Sequence, residues 1–496
     1  MSVSTPLVLG IDIGTSGVKG AIWRADGRLL ASRRASVTVS RPRPGWAEHD
    51  AERDWWGPLR RITTDLLGRD DTWRGQIACV GISGLCPVVV PMDNAGQPLR
   101  RAILYSIDSR AGAQLATLRD AVGADGAVRR SGQPLGPHNI VAKLMWLRAN
   151  EPDLWARTST VLGSTGYAVH RLTGARTIDH FSAADGGLGY RLDEREWDRD
   201  LLASQGIDAS LLPDPQWPAE IAGTVSRSAA AATGLLSGTP VAVGTGDALA
   251  DLMGLRADPA PGSGAILYGT SISTMVFAGS RSTAPGVVTV PGWRPDQLVH
   301  SAILSIGVGV LEWWGRAVGI PWDSGWADRV DRILAAVPPV PDGPLHLPYL
   351  AGRRHAATEP GGRRGQGALI GLGVQHDGPV MMRAIVEGLA HALRFELDGT
   401  EPIRELHAVG GGARCRSLLQ AVSDICGFDQ VLDHARDDAA RGAAWLAALA
   451  AGLVERGSAG WARPADLVTP DPDASARHTE NHARFRSAIA LLDALE

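Results

Sequence analysis

Leu7-Val-Leu-Gly-Ile-Asp12-Ile-Gly14-Thr15-Ser16-Gly17-Val-Lys19-Gly-Ala-Ile-Trp23 reads as an apolar strand, a Gly-Thr-Ser turn and a second apolar strand. The same order returns about half a chain later in Ala265-Ile-Leu-Tyr268-Gly269-Thr270-Ser271-Ile-Ser-Thr-Met-Val-Phe277. Apolar residues on both flanks predict strands, and the glycine-containing turn predicts a tight hairpin. Two such hairpins predict a duplicated domain, each copy offering one loop able to cradle phosphate. Glycine allows close backbone approach, neighbouring N–H groups donate, and Thr and Ser add hydroxyls. Asp12 adds a carboxylate suited to holding a hydrated magnesium ion. The repeat therefore points to an enzyme that uses ATP.

The chain has 496 residues, room for two large domains. Its 44% hydrophobic and 21% charged residues are ordinary for a soluble globular protein. A net charge of −4 gives no sign of a nucleic-acid or membrane partner. Asp12 interrupts the N-terminal apolar run, so no secretory signal is expected, and no charge-free stretch is long enough to span a bilayer. Cys79, Cys86, Cys415 and Cys426 show no Cys-x-x-Cys pair and no metal-ligand spacing, as expected of reduced thiols in the cytoplasm. Among 49 basic residues only Lys19 and Lys143 are lysines. Lys19 is there either for the compact ammonium a phosphate contact uses, or as a surface lysine without a role.

Along the chain, strands are expected through residues 7–40, then a helix over 51–67 capped by Asp50. A strand over 77–82 runs into the Ser83-Gly84 turn, and another covers 87–93. Helical patterns occupy 108–121, 139–150 and 166–172; residues 191–235 are turn-rich. Pro240–Gly244 is a strand that opens through Thr245-Gly246-Asp247 into a small-residue helix. Asp258–Gly264 is the expected boundary between halves. Ile303–Val318 and Gly378–Leu397 read as long helices. Leu406–Gly412 reads as a strand ending in a glycine turn, followed by helices over 417–426 and 439–453. Strands joined by hairpins and then helices, in each half, argue for a two-lobed α/β architecture with ligands at the strand ends.

These residues resemble the FGGY family of carbohydrate kinases, over about residues 5–455. Gly10–Lys19 looks like that family's first phosphate motif and Leu267–Ser271 like its second. Gly410-Gly411-Gly412-Ala413-Arg414, followed by Leu418, Leu419, Gln420 and Asp424, is similar to its adenosine motif. Pro44–Asp50 with Trp55-Trp56, Gly81–Gly84 and Ala102–Arg110 match segments of xylulokinase-like members. Any one motif is weak; their joint order is specific. The resemblance implies two ribonuclease-H-like (actin-like ATPase) domains with an active-site cleft between them. The N-terminal domain, 1–256, would bind sugar and carry the first phosphate loop. The C-terminal domain, 257–496, would carry the second loop and bind adenosine.

The resemblance assigns Asp247 as catalytic base, where residue pattern alone leaves an N-cap equally open. It implies ATP binding by Asp12, Gly14, Thr15, Ser16, Lys19, Gly269, Thr270, Ser271, Gly411, Gly412 and Arg416, with Asp12 holding magnesium through water. Arg416 either stacks on adenine or merely starts a solvated helix. Asp251, one turn beyond Asp247, reads as structural. Gly84, Leu85, Cys86, Asp108 and Asp247 are the expected acceptor contacts. Here the chain departs from the family: Leu85-Cys86-Pro87 stands where xylulokinases carry Gln-Met-His, so the imidazole that would bond a ketose is missing. Asp108 and Arg110 are either hydroxyl ligands or a surface pair opening a helix. Trp55 and Trp56 offer stacking faces, although core packing is the more usual fate of Trp. The basic stretch Arg353–Arg364 departs from the family and receives no role.

The expected activity is ATP- and Mg2+-dependent phosphorylation of a small sugar or polyol, foremost a pentulose. Ribulose, a tetrulose or tetritol, glycerol and gluconate are alternative acceptors. A nucleotide-binding regulator, a scaffold, or a member that has lost activity are alternatives of another kind. A homodimer is expected by resemblance only.

Overall fold

The computed structural model describes residues 5–255, 259–282, 284, 286–337, 343–350, 367–433, 439–455, 461 and 465–494; Asp258 and the Arg353–Arg364 stretch lie outside them. The chain divides into two compact units. The first comprises 1–259, 290–297 and 436–462, and the second 260–289, 298–435 and 463–496.

In the first unit, Leu7–Gly14 and Gly17–Arg24 form the expected hairpin, with Asp12 opposite Lys19 and Gly14 opposite Gly17. Leu29–Ser36 extends it antiparallel on one side. On the other side Ile77–Gly84 runs parallel to Leu7–Gly14, followed by Pro240–Ala242, also parallel, and by Ile221–Thr224 at the antiparallel edge. The second unit repeats this order. Ser263–Tyr268 and Ile272–Ala278 form the hairpin, Leu298–Leu304 adds the third antiparallel strand, and Glu405–Val409 and Asp429–Asp433 follow in parallel. Ala465–Val468 closes the edge antiparallel. The repeat seen in two hairpins is thus a repeat of whole sheets. The hairpins differ in one respect: the first turns through Thr15 and Ser16 alone, the second through Gly269, Thr270 and Ser271.

Most helices stand where the residue pattern put them. Asp50 accepts from the Arg53 N–H and starts a π-helical turn, Ala51–Trp56, that continues as the α-helix Gly57–Leu67. Gly378–Leu397 is a single helix capped by Asp377. The expected helix over Ile303–Val318 is corrected: Ile303 ends the strand Leu298–Leu304, and the helix spans only Gly309–Ala317. Val299, Ala302 and Leu304 are buried along that strand, and Gly307 then passes so close to Ser271 that a Cβ would lie 2.6 Å from its carbonyl carbon. The closing helix Pro472–Ala494 was not legible, because its His-, Arg- and Asp-rich sequence lacks a clean apolar stripe.

Helix Ala439–Ala450 packs on the first unit's sheet by means of small residues. A Cβ on Gly10 would stand 2.0 Å from the Ala440 carbonyl oxygen, one on Gly81 1.9 Å from that of Ala443, and one on Gly442 1.8 Å from that of Ala250. Gly81→Ala therefore forces helix and sheet apart; thermal unfolding should show a loss of about 1–3 kcal/mol, the usual range for an overpacked core. Trp55 and Trp56, offered as stacking faces for a sugar, are core residues, 0% and 4% exposed.

Three buried histidines of the second unit form one cluster. His391 faces His482 with Nδ1 atoms 3.3 Å apart, and its ring lies 5.6 Å from those of His478 and Phe485. Burial holds His391 down to about 2, and His478 and His482 to about 4; Arg394 pushes the same way on all three, and Asp398 opposes it at His482. A group depressed on folding is neutral in the folded chain while the unfolded chain takes up the proton, so stability falls as pH drops below about 6.5. Melting temperature measured from pH 7.5 to 5 should fall less steeply in His391→Leu than in the parent.

Candidate active site

In the first unit the chemistry gathers at the carboxyl ends of adjacent parallel strands. Asp12 sits late in Leu7–Gly14, level with Ser83 of the neighbouring strand, and the Ser83 hydroxyl donates to its Oδ1 at 3.0 Å. Thr245 and Gly246 pair with Ser83 and Gly84 on the far side of that strand, so the helix Asp247–Leu255 begins at the same edge. Asp247 accepts from the Ala248 N–H at 2.9 Å. Asp251 follows one turn on, in phase with Asp247.

The three carboxylates act on one another. Burial, and then Asp251, push Asp12 up to about 7 against the pull of Ser83, Lys19 and Arg34. Burial, Asp12 and Asp251 hold Asp247 well above the carboxylate range, opposed by the Ala248 N–H. Asp251, read from sequence as structural, belongs electrostatically to this cluster; its i, i+4 spacing from Asp247 was the available signal. Such a set suits a hydrated divalent cation, which would lower all three pKa values. Among the described residues no group of three or more His, Cys, Asp or Glu side chains is placed to hold a metal ion by itself.

The first loop is held from outside. Thr15 and Tyr105 share a hydroxyl–hydroxyl bond of 3.0 Å, and Arg34 donates to Ser16 Oγ at 3.1 Å. Lys143, fully buried, donates to the Leu104 and Tyr105 carbonyls at 2.5 and 2.9 Å and so fixes the segment that carries Tyr105. Lys19 lies opposite Asp12 on the hairpin.

In the second unit the strand pairing brings loop and glycine turn together. Leu267 is level with Val409, which sets Gly269–Ser271 beside Gly410–Gly412. Gly410 has φ +94°, and a Cβ on Gly412 would lie 2.4 Å from Val308 and 2.8 Å from the Tyr268 Cβ. The loop is braced by Gly307 N–H to Thr270 O, 2.6 Å, and Val308 N–H to Gly269 O, 3.0 Å. Gly411 is exposed, with open space where a side chain would stand. Arg416 opens the following helix; its guanidinium donates to the Leu467 carbonyl at 3.2 Å. Asp331, missed in the sequence, caps this helix by accepting from the Arg416 and Ser417 N–H groups at 3.0 and 2.7 Å.

On the acceptor side two expectations are corrected. The Leu85 side chain is 2% exposed, its N–H donates to Ile13 O and its carbonyl accepts from Ser164, so its backbone groups are engaged in shaping the turn. Asp108 and Arg110 are no surface pair: both side chains are fully buried. Asp108 accepts from the Ala47 N–H at 2.6 Å and from the Arg110 guanidinium, which lies over the Trp46 ring at 3.8 Å and also bonds Glu48. That pair is structural. Gly84 presses on Ser164, where a Cβ would meet Oγ at 2.5 Å. Cys86 reaches Ser182 O at 3.7 Å. Burial, with Asp185, Asp179 and Asp247 nearby, keeps its thiol protonated.

The family description "FGGY family of carbohydrate kinases, N-terminal domain" matches residues 7–254, and the corresponding C-terminal domain matches 264–451. The chain is 31% identical to a xylulose kinase of Streptomyces coelicolor over 466 residues, 90% of this chain and 88% of that one. It is 27% identical to a glycerol kinase of Citrifermentans bemidjiense over 465 residues, 90% and 91% of the two. The crystal structure of xylulose kinase from Rhodospirillum rubrum superposes with a TM-score of 0.89 at 26% identity, covering 99% of both chains. Among the described residues no helix is long and apolar enough to cross a membrane.

Proposed function

The chain belongs to the FGGY family of carbohydrate kinases, and we propose that it moves the γ-phosphoryl group of ATP to a hydroxyl of a pentulose of the xylulose type. The observation that carries this reading is Asp247, half-buried at a helix start beside Asp12 at the sheet's carboxyl edge. Asp247 accepts the proton of the acceptor hydroxyl as that oxygen attacks phosphorus, and the proton ends on its carboxylate. Burial, and then Asp12 and Asp251, raise the affinity of this carboxylate for a proton. Thr15, Ser16 and Lys19 on one loop, and Thr270 and Ser271 with the loop N–H groups on the other, donate to phosphate oxygens. Gly411 and Gly412 let the backbone run close to adenosine, with Arg416 at its margin. Asp12, with Asp251, would hold Mg2+ through water; when bound, the ion offsets charge on the phosphates and the carboxylate cluster.

We assign 1–256 as the domain of the acceptor and first loop, 257–496 as that of the second loop and adenosine. Similarity to a glycerol kinase makes glycerol the second acceptor to test. A cytoplasmic location and a homodimer complete the proposal, the latter checked by light scattering. ADP release measured over ketoses, polyols and sugar acids tests the function: xylulose should stimulate it most, and no stimulation by any acceptor would remove the kinase assignment.

A further inference from the structure

The backbone of the first loop is tied on both flanks. Val37 N–H donates to Ser16 O and Leu85 N–H to Ile13 O, each at 2.9 Å. With the chain path fixed, what is left to set is where the Thr15 and Ser16 hydroxyls point. Each has a partner outside the hairpin. Arg34, on the third strand, donates to Ser16 Oγ at 3.1 Å. A guanidinium has no acceptor, so the Ser16 hydroxyl spends its own proton elsewhere. Thr15 Oγ1 lies 3.0 Å from the Tyr105 hydroxyl, 90 residues away in the chain. Both residues are half-buried, so water can reach either, and the fold does not depend on this bond. Tyr105 is nonetheless placed for it in advance. Its ring packs on the first unit's core. Its carbonyl accepts from Lys143 Nζ at 2.9 Å and from the Asp108 N–H at 3.1 Å, and the preceding Leu104 N–H donates to Ala47 O at 3.1 Å. The segment is thus anchored without help from the Tyr105 hydroxyl.

We propose that Tyr105 is a positioning residue for phosphate binding, its hydroxyl donating to Thr15 Oγ1 and so turning the single Thr15 O–H toward a nucleotide phosphate oxygen; this rests on the reading of Thr15 as a phosphate donor given above. An alcohol has one proton to give and two lone pairs to accept with. Were Thr15 to give its proton to Tyr105, it would offer a phosphate only lone pairs, which repel an anionic oxygen. A phenol is the stronger donor of the two hydroxyls and an aliphatic alcohol the better acceptor, so donation by Tyr105 is the favoured direction. That donation also polarises the Thr15 O–H and strengthens its bond to a charged acceptor. Because the Tyr105 segment is already fixed in the folded chain, little orientational freedom remains to be lost when a nucleotide binds.

The test is a double-mutant cycle in the full-length protein with Tyr105→Phe and Thr15→Val, alone and together, read by the calorimetric Kd for Mg-ATP and by KM for ATP and for xylulose. Tyr105→Phe should melt within about 2 °C of the parent. It should weaken Mg-ATP binding about 5- to 10-fold and leave KM for xylulose within about twofold. In the Thr15→Val background the same change should alter ATP affinity by less than about twofold, because the hydroxyl it acts through is gone. In Thr15→Ser, which keeps a hydroxyl, the loss should return. A Tyr105→Phe protein that binds Mg-ATP like the parent overturns the inference. So does an equal loss in the parent and Thr15→Val backgrounds, and so does a rise in KM for xylulose in place of ATP, which puts the phenol on the acceptor. Failure of Tyr105→Phe to fold makes the hydroxyl structural, with the same result. A parent that binds Mg-ATP but phosphorylates no acceptor removes the kinase reading, while the calorimetric cycle still decides this inference. A parent that binds no Mg-ATP removes both.

Discussion

Asp247→Asn is expected to reduce kcat for sugar phosphorylation by about 10^3-fold, within the span that a positioned general base contributes. ATP should still raise the melting temperature of the variant, because the residues proposed to hold nucleotide lie on other elements. The amide keeps the acceptor of the Ala248 N–H bond and the shape of the helix start, so loss of activity reports loss of the proton acceptor. It also removes one of three mutually repelling carboxylates, so the variant should melt no lower than the parent. Near-normal turnover in Asp247→Asn would take this residue out of the mechanism. A drop in melting temperature with lost ATP protection would instead mark it as structural.

Asp12→Asn should show a larger separation between stability and activity. Asp12 has its pKa raised from 3.8 to about 7 on folding, by burial and by Asp251. An acid whose pKa rises on folding favours the folded state while protonated, and that advantage disappears as pH climbs through the folded value. Below about pH 4 the ionisation of Asp12 therefore costs the fold nothing. The cost grows between about pH 4 and 7 and is complete at pH 8. Partial exposure and screening reduce it to about 1–2 kcal/mol, or a rise of a few degrees in melting temperature for the variant at pH 8 without magnesium. The substituted amide retains an acceptor for the Ser83 hydroxyl, so the hairpin persists. Magnesium with ATP should stabilise the parent markedly and the variant much less, and the variant should lose most of its activity. Equal melting temperatures of the two proteins at pH 8 would show that the cluster stores no repulsion. Equal magnesium protection would place the ion elsewhere.

The sequence carried the sheets because each hairpin is local. Its apolar flanks and turn lie within a score of residues, and duplication made the pattern visible twice. It carried Asp50 as a helix cap, Gly378–Leu397 as one helix and the glycine turn at 410–412 for the same reason: the signal and its partner are neighbours in the chain. The failures were of another kind. Leu85 reads as a ligand contact in the sequence, but its side chain lies in the core and its backbone groups pair with Ile13 and Ser164. Asp108 and Arg110 read either as hydroxyl ligands or as a surface pair opening a helix, yet they form a buried pair completed by Ala47, Glu48 and Trp46. Asp331 had no motif at all, since a carboxylate capping a helix 85 residues away leaves no local trace.

By itself the sequence determined the duplicated α/β architecture, the family and the two glycine-bearing loops, because backbone geometry and short-range periodicity dictate those. Only the tertiary structure decided which carboxylates act together. Asp12, Asp251 and Asp247 share a site because parallel strand register sets Asp12 beside Ser83 and Ser83 beside Thr245. Burial then turns that proximity into strong coupling, since electrostatic interaction depends on distance and on the exclusion of water, and neither is written in the order of residues.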